Sequence, residues 1–166
     1  MADDCGLAVN LDRIDRKILT VLQDDGRITN LDLADRVGLS PAPCLRRVRA
    51  LEQSGIVARY VALLSPARMG LNFEAIVEIR LKQQTREYFE KFEKRISDMP
   101  EVLECFLTAG DWDYYIKILT IDIQSYQEFL LDRLMHQEHE IASFRTTMIM
   151  RKVKSTTRIE PRLTSI

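Results

Sequence analysis

Three arginines within four positions, Arg46, Arg47 and Arg49, stand in the most informative stretch of this chain, residues 29–55, TNLDLADRVGLSPAPCLRRVRALEQSG. Guanidinium groups bind phosphate oxygens, or the O6/N7 edge of guanine, in a two-bond fork. A second run, Ala109-Gly110-Asp111-Trp112-Asp113-Tyr114, sets two carboxylates on either side of an indole, just after a glycine. Backbone N–H groups exposed at a glycine can hold a carboxylate, and an aspartate can accept an ammonium group. Paired carboxylates also suit acid–base catalysis or a metal, but no third acidic or histidine ligand is near in sequence. A plain Gly-Asp turn between strands would account for Gly110 and part of Asp111. A third run, His136-Gln137-Glu138-His139-Glu140, puts its histidines one helical turn apart, yet beside a loop, and reads as a solvated helix end rather than a metal site.

The arginines need a helix to present them. Residues 29–55 contain two short amphipathic patterns separated by Val37-Gly38-Leu39-Ser40. Gly38 suits the left-handed C-terminal cap of the first helix, Ser40 the N-cap of the second, and Pro41 its first turn. Helix, tight turn, helix is a helix-turn-helix, whose second helix enters the DNA major groove. On a wheel of about 100° per residue, Cys44, Leu45, Val48 and Leu51 fall within about 120° and are expected to face the core. The opposite side carries the three arginines with Ala42, Pro43, Ala50 and Gln53. Small residues there let the backbone approach the groove floor. Arg46 and Arg49 are the expected groove contacts, and Arg47, nearer the edge, is expected to hold phosphate. Ser40, Ala42, Pro43, Arg46, Arg47 and Arg49 form the expected DNA-contacting set; the alternative is a solvated helix with ordinary surface arginines.

Composition bounds the rest. The chain has 166 residues, 46% hydrophobic and 30% charged, with a net charge of −1. That is ordinary for a soluble globular protein and provides no chain-wide basic field for indiscriminate nucleic-acid binding. Cys5, Cys44 and Cys105 are odd in number and form no CxxC pair, so neither zinc nor a disulfide framework is expected. No cofactor is expected. The start MADDCGLAVNLD lacks the pattern of a signal peptide, and no apolar run approaches a membrane span, so a cytoplasmic protein is expected.

The flanking patterns supply the remaining elements. Ile14, Ile18, Val21 and Leu22 mark an initial helix, with Asp12 as its cap and an end near Asp25-Gly26; Thr29 and Asp32 form a T-x-x-D box for the next. After Gly55, the β-branched run of residues 56–63 predicts one or two strands, which would make the motif a winged helix-turn-helix. Residues 65–70 punctuate the chain with proline and glycine. Beyond them, Phe73, Ala75, Val77, Ile79 and Leu81 alternate with polar positions. Residues 86–97 are helical through Tyr88, Phe89, Phe92 and Ile96. Residues 101–108 and 112–120 are strand-like, 125–134 helical and 144–153 a final strand. The order βαββαβ is the ferredoxin-like arrangement. The expected class is therefore α+β: a winged helix-turn-helix over residues 1–64, a linker at 65–72, a ferredoxin-like domain over 73–157 and a basic tail at 158–166, either a loose terminus or a weak phosphate contact. Large residues on both faces of 112–120 imply cover on both, most simply by a second subunit.

Taken together, these residues resemble the Lrp/AsnC (feast/famine) family of transcription regulators. The resemblance spans nearly the whole chain. It rests on Leu11-Asp12-Arg13-Ile14-Asp15-Arg16-Lys17-Ile18-Leu19, the 40–55 segment with Leu51-Glu52-Gln53-Ser54-Gly55-Ile56, Pro100-Glu101-Val102, Ala109-Gly110-Asp111-Trp112-Asp113-Tyr114 and Lys152-Val153-Lys154-Ser155-Thr156-Thr157. Arg151-Lys152 departs from some relatives that are acidic there. The resemblance implies an N-terminal DNA-binding domain, a C-terminal amino-acid-sensing domain and dimers that assemble further into octamers, with the effector held between dimers. It points to double-stranded DNA and a small amino acid as partners. The effector is expected at Ala109, Gly110, Asp111, Trp112, Asp113 and Tyr114, with Thr146 and Thr147 of an adjacent subunit closing the pocket; those threonines equally suit an ordinary strand. Sirohaem decarboxylases resemble the same two-domain architecture, so fold alone does not exclude catalysis. The intact arginine face favours a regulator that is not an enzyme.

Overall fold

The computed structural model describes residues 10–135 and 140–161. It divides into two units, Met1–Leu63 together with Ser155–Ile166, and Leu64–Lys154.

The first unit holds three helices, α1 (Arg13–Asp24), α2 (Asn30–Val37) and α3 (Pro41–Gln53). Each begins where local chemistry predicts. Asp12 caps α1 by accepting from the N–H groups of Ile14 and Asp15, while the Asp15 carboxylate accepts from the N–H of Asp12, a complete capping box. At α2 the Thr29 hydroxyl accepts from Asp32 N–H at 3.2 Å and donates to the Asp32 carboxylate at 2.6 Å, so the expected reciprocal bond goes to the hydroxyl. Gly38 ends α2 at φ 78°, the left-handed cap that only glycine adopts cheaply. The core is built from Ile18, Leu33, Ala34, Val37, Cys44 and Leu51, all buried.

Two expectations for this unit change. The β-branched run after Gly55 forms no strand. Ile56 and Val57 pack against the core and Tyr60 bonds to Glu52 at 3.0 Å, after which Val61 and Leu63 stand exposed. Extended backbone becomes a strand only beside a neighbour that accepts its hydrogen bonds, and none of the described residues of this unit supplies one. The tail, in turn, is anchored in its described part. Gln23 donates its amide to the Ile159 carbonyl at 2.9 Å and accepts the Ile159 N–H at 2.7 Å, and Arg158 pairs with Asp24 at 2.7 Å.

The second unit runs β1 (Phe73–Leu81), α4 (Arg86–Ser97), β2 (Val102–Leu107), β3 (Tyr114–Thr120), α5 (Ile123–Glu128), a π-helical continuation (Phe129–Leu134) and β4 (Ile141–Met148). The strands form one antiparallel sheet in the order β2-β3-β1-β4. This is the predicted βαββαβ layout. The alternating residues Val77, Ile79 and Leu81 of β1 meet Tyr114, Ile116 and Ile118 of β3 beneath Phe92 and Ile96 of α4 and Tyr126 and Phe129 beyond β3. β4 begins and ends earlier than its alternation suggests. Ile141 pairs with Leu81 across a bulge, and the ladder ends with Met148 opposite Ala75, the Ile149 N–H making a last bond to the Glu74 carbonyl at 2.9 Å.

Candidate functional site

The chemistry divides between the two units. In α3, Arg46 and Arg49 are exposed, and neither has an ion-pair partner among the described residues. Ala42 and Ser40 are exposed and Pro43 is half-buried. Ser40 occupies the N-cap with extended backbone, but its hydroxyl makes no capping bond; the Asn30 amide holds this end of α3 instead, donating to the Pro41 carbonyl at 2.9 Å.

Arg47 lies elsewhere than expected. Its Nη1 is 2.7 Å from Asp12 Oδ2 and 2.7 Å from Asp15 Oδ1. The guanidinium is paired within its own domain, where the sequence reading expected it at a phosphate. Leu45, expected in the core, is 37% exposed. On a wheel of about 100° per residue the inward face therefore runs from Arg47 through Leu51 and Cys44 to Val48, turned by about 50° from the arc drawn on apolar residues alone. Arg46 and Arg49 then sit about 30° to either side of the outward line. A basic surface overlooked in the sequence accompanies them: Arg13, Arg16, Lys17 and Arg36 line a shallow groove of about 350 Å³ between α1 and α2. Its signal was a set of basic positions three and four apart on α1, opposite the apolar stripe.

The loop between β2 and β3 is the second site. Ala109, Gly110 and Asp111 are exposed, Trp112 is half-buried, and Gly110 has a φ of 153°. Arg80 donates to the Asp111 carbonyl at 2.9 Å, and Thr108 donates to the Trp112 carbonyl at 2.7 Å. The Arg145 guanidinium lies 5.4 Å from the Trp112 ring centre and forks onto Glu78. Arg145, helped by the Tyr115 hydroxyl, holds the Glu78 carboxyl below the usual glutamate range.

Three residues expected here are turned away. Asp113 is buried; its carboxylate accepts the Leu81 N–H at 2.7 Å and the Gln84 amide at 2.8 Å, so it ties β1 to β3. Tyr114 points under the helices and donates to Glu93 at 2.7 Å; burial first and Glu93 second push its hydroxyl far above the ordinary range. Thr146 shares a 2.5 Å hydrogen bond with Tyr126 on the helix side. Thr147 pairs with Ile76 on the opposite face and is exposed. Successive strand residues point to opposite sides, so the two threonines present their hydroxyls to different faces of the sheet. Sequence reasoning missed Glu78, Arg80, Tyr115 and Arg145. Alternation placed the first two on the polar face, but only register brings Arg145 opposite Glu78.

That open face is less apolar than expected. Lys117 of β3 bridges Glu74 at 3.4 Å and Glu104 at 3.0 Å, and Lys152 reaches Glu74 at 2.6 Å, between the apolar Leu119 and Phe106. No cluster of three metal-ligating side chains occurs among the described residues, and His136 and His139 lie outside them. Cys44 and Cys105 are free thiols, and Cys5 lies outside the described residues. No helix among the described residues is long and apolar enough to cross a membrane.

Known proteins share this arrangement. Residues 11–58 match the winged helix-turn-helix DNA-binding family, and residues 74–159 the Lrp/AsnC ligand binding domain. The leucine-responsive regulatory protein of Escherichia coli (strain K12) is 41% identical over 150 residues, covering 90% of this chain and 91% of that one. A transcriptional regulator of Neisseria meningitidis, solved with L-Met, superposes with a TM-score of 0.85 at 38% identity, over 90% of this chain and 96% of its own. An AsnC family regulator of Agrobacterium tumefaciens gives a TM-score of 0.84 at 36% identity, over 90% and 96%. With both units matched in order and nearly end to end, the chain belongs to the Lrp/AsnC family: it is a DNA-binding transcriptional regulator, not an enzyme, with a helix-turn-helix followed by an amino-acid-binding domain.

Proposed function

We propose that α3 reads the major groove through Arg46 and Arg49, with Ser40 at its start and the small Ala42 and Pro43 letting its backbone approach the groove floor, and that an amino acid seated on the 109–112 rim modulates this reading. The exposed rim carries the second half. Gly110 offers backbone N–H groups to a carboxylate beside Arg80, Asp111 offers a free carboxylate to an ammonium group, and Trp112 offers an apolar wall. The relatives named for leucine and solved with L-Met favour an apolar side chain.

The rim lacks an outer wall within one chain. A second copy closes it, and Thr147, rather than Thr146, is free to contribute. Exposed Phe106, Val61 and Leu63 support a dimer that assembles further, to the octamer expected for the family. The protein acts in the cytoplasm, where its DNA is.

Thermal melting of the full chain with each of the twenty amino acids tests the effector reading. A ligand of the native state at a hundred times its Kd adds about 2.7 kcal/mol, a shift of several degrees. One or a few apolar amino acids should produce it, and light scattering should give a dimer or larger. No shift with any of the twenty, or a monomer at micromolar concentration, contradicts the reading.

A further inference from the structure

We propose that Arg47 is a positioning residue: it braces α3 against the first turn of α1, sets the angle at which Arg46 and Arg49 meet DNA, and makes no phosphate contact of its own. The proposal rests on α3 being the DNA-reading helix.

Geometry supports it first. Cys44 and Leu51 are the fully buried residues of α3 and lie almost on one line along the helix, with half-buried Val48 packed on the core about 40° to one side of Cys44. Anchors on that line and to one side of it leave rotation about the helix axis opposed from one side only. Arg47 stands about 60° to the side of Cys44 on the wheel, where a tether resists that rotation. Rolling α3 would carry Arg46 and Arg49 off the outward line together.

The acceptors are also held in advance. Asp12 Oδ1 caps α1 while its Oδ2 takes Arg47; Asp15 Oδ2 takes the Asp12 N–H while its Oδ1 takes Arg47. Each carboxylate uses one oxygen to begin α1 and the other to hold α3. The cap and the helix angle therefore share the same two side chains. The Asp15 N–H first, and Arg47 after it, keep the Asp12 carboxyl below its usual range, so the brace stays charged at neutral pH.

Charge supplies the third argument. One guanidinium between two carboxylates leaves a local excess of one negative charge. Such a group displaces no counterion from DNA, and counterion release is what gives phosphate contacts their salt dependence.

The test uses the full chain and an operator selected with it from random DNA, with affinities measured by fluorescence anisotropy over a series of salt concentrations. Arg47→Ala should weaken operator binding about tenfold through lost preorganisation. It should leave affinity for random DNA and the salt slope unchanged. Arg47→Lys, which keeps a charge able to reach one carboxylate, should fall between wild type and alanine and serves if the alanine variant does not fold. A phosphate contact would instead weaken operator and random DNA alike and flatten the slope by about one. That result, or wild-type operator affinity in a folded Arg47→Ala, overturns the proposal. The Arg46→Ala/Arg49→Ala variant is the control. If it too keeps full operator affinity, the assignment of α3 as the reading helix fails; if it alone loses binding, only the brace fails.

Discussion

Replacing Arg46 and Arg49 together with alanine will abolish sequence-specific operator binding and leave the fold intact. Neither side chain has an ion-pair partner among the described residues, so folding stability should move by no more than about 0.5 kcal/mol. Each guanidinium is long enough to reach a base edge from a helix in the groove, and such contacts are worth about 1–3 kcal/mol apiece. The pair then accounts for a loss of at least about thirtyfold in affinity. The loss should exceed that on random DNA, because base-edge contacts carry the specificity. Anisotropy titration beside a circular dichroism spectrum decides it. A folded double variant that still binds the operator as the parent does removes α3 from the interface.

The two aspartates beside Trp112 should behave as opposites. Asp111→Asn keeps shape and removes charge at an exposed position, so the melting curve without ligand should not change. If Asp111 receives the ammonium group, amino-acid affinity should fall by about 1.5–3 kcal/mol, the value of a hydrogen bond to a charged group. Asp113→Ala strands the buried N–H of Leu81 and releases Gln84. Leaving a buried donor unsatisfied costs about 1–3 kcal/mol, so this variant should melt several degrees lower in the absence of any ligand. Calorimetric titration and melting curves on the two single variants settle it. An Asp111→Asn protein that binds the effector as tightly as the parent ends the charge-pair role, and an Asp113→Ala protein with an unchanged melt ends the structural one.

The contrast shows what the sequence can and cannot express. Helix starts were legible because a cap is local: Asp12 and Asp15 are three residues apart, and Thr29 and Asp32 are too. The succession of strands and helices along the chain followed from alternation and punctuation. The ion pairs of Arg47 were not legible because its partners lie 35 and 32 positions away, and a wheel sorts residues by polarity without knowing that a carboxylate pair waits on the inner side. Thr146 and Thr147 looked like one polar need because adjacency in sequence hides their opposite directions in a strand. Glu78 and Arg145, 67 positions apart, became partners only through register. The strand expected after Gly55 failed for a related reason. Propensity makes a segment extended, but pairing requires a neighbour, and a neighbour is a property of the fold.

The clamp of Gln23 and Asp24 onto Ile159 and Arg158 has a consequence for how the protein is made. The DNA-reading unit is discontinuous: its helices leave the ribosome first, but the strand of chain that pins the end of α1 follows only after the whole ligand-binding unit has been synthesised. A nascent chain can therefore form its helix-turn-helix early, yet α1 stays unclamped until translation has passed residue 159. Chains stopped after Lys154 reproduce that unfinished state, and hydrogen exchange at the last turn of α1 should be faster in them than in the full chain. Equal exchange would mean that the helix is finished before the clamp arrives. Otherwise the order of synthesis itself delays full DNA-binding competence until the part that listens for the amino acid is already present.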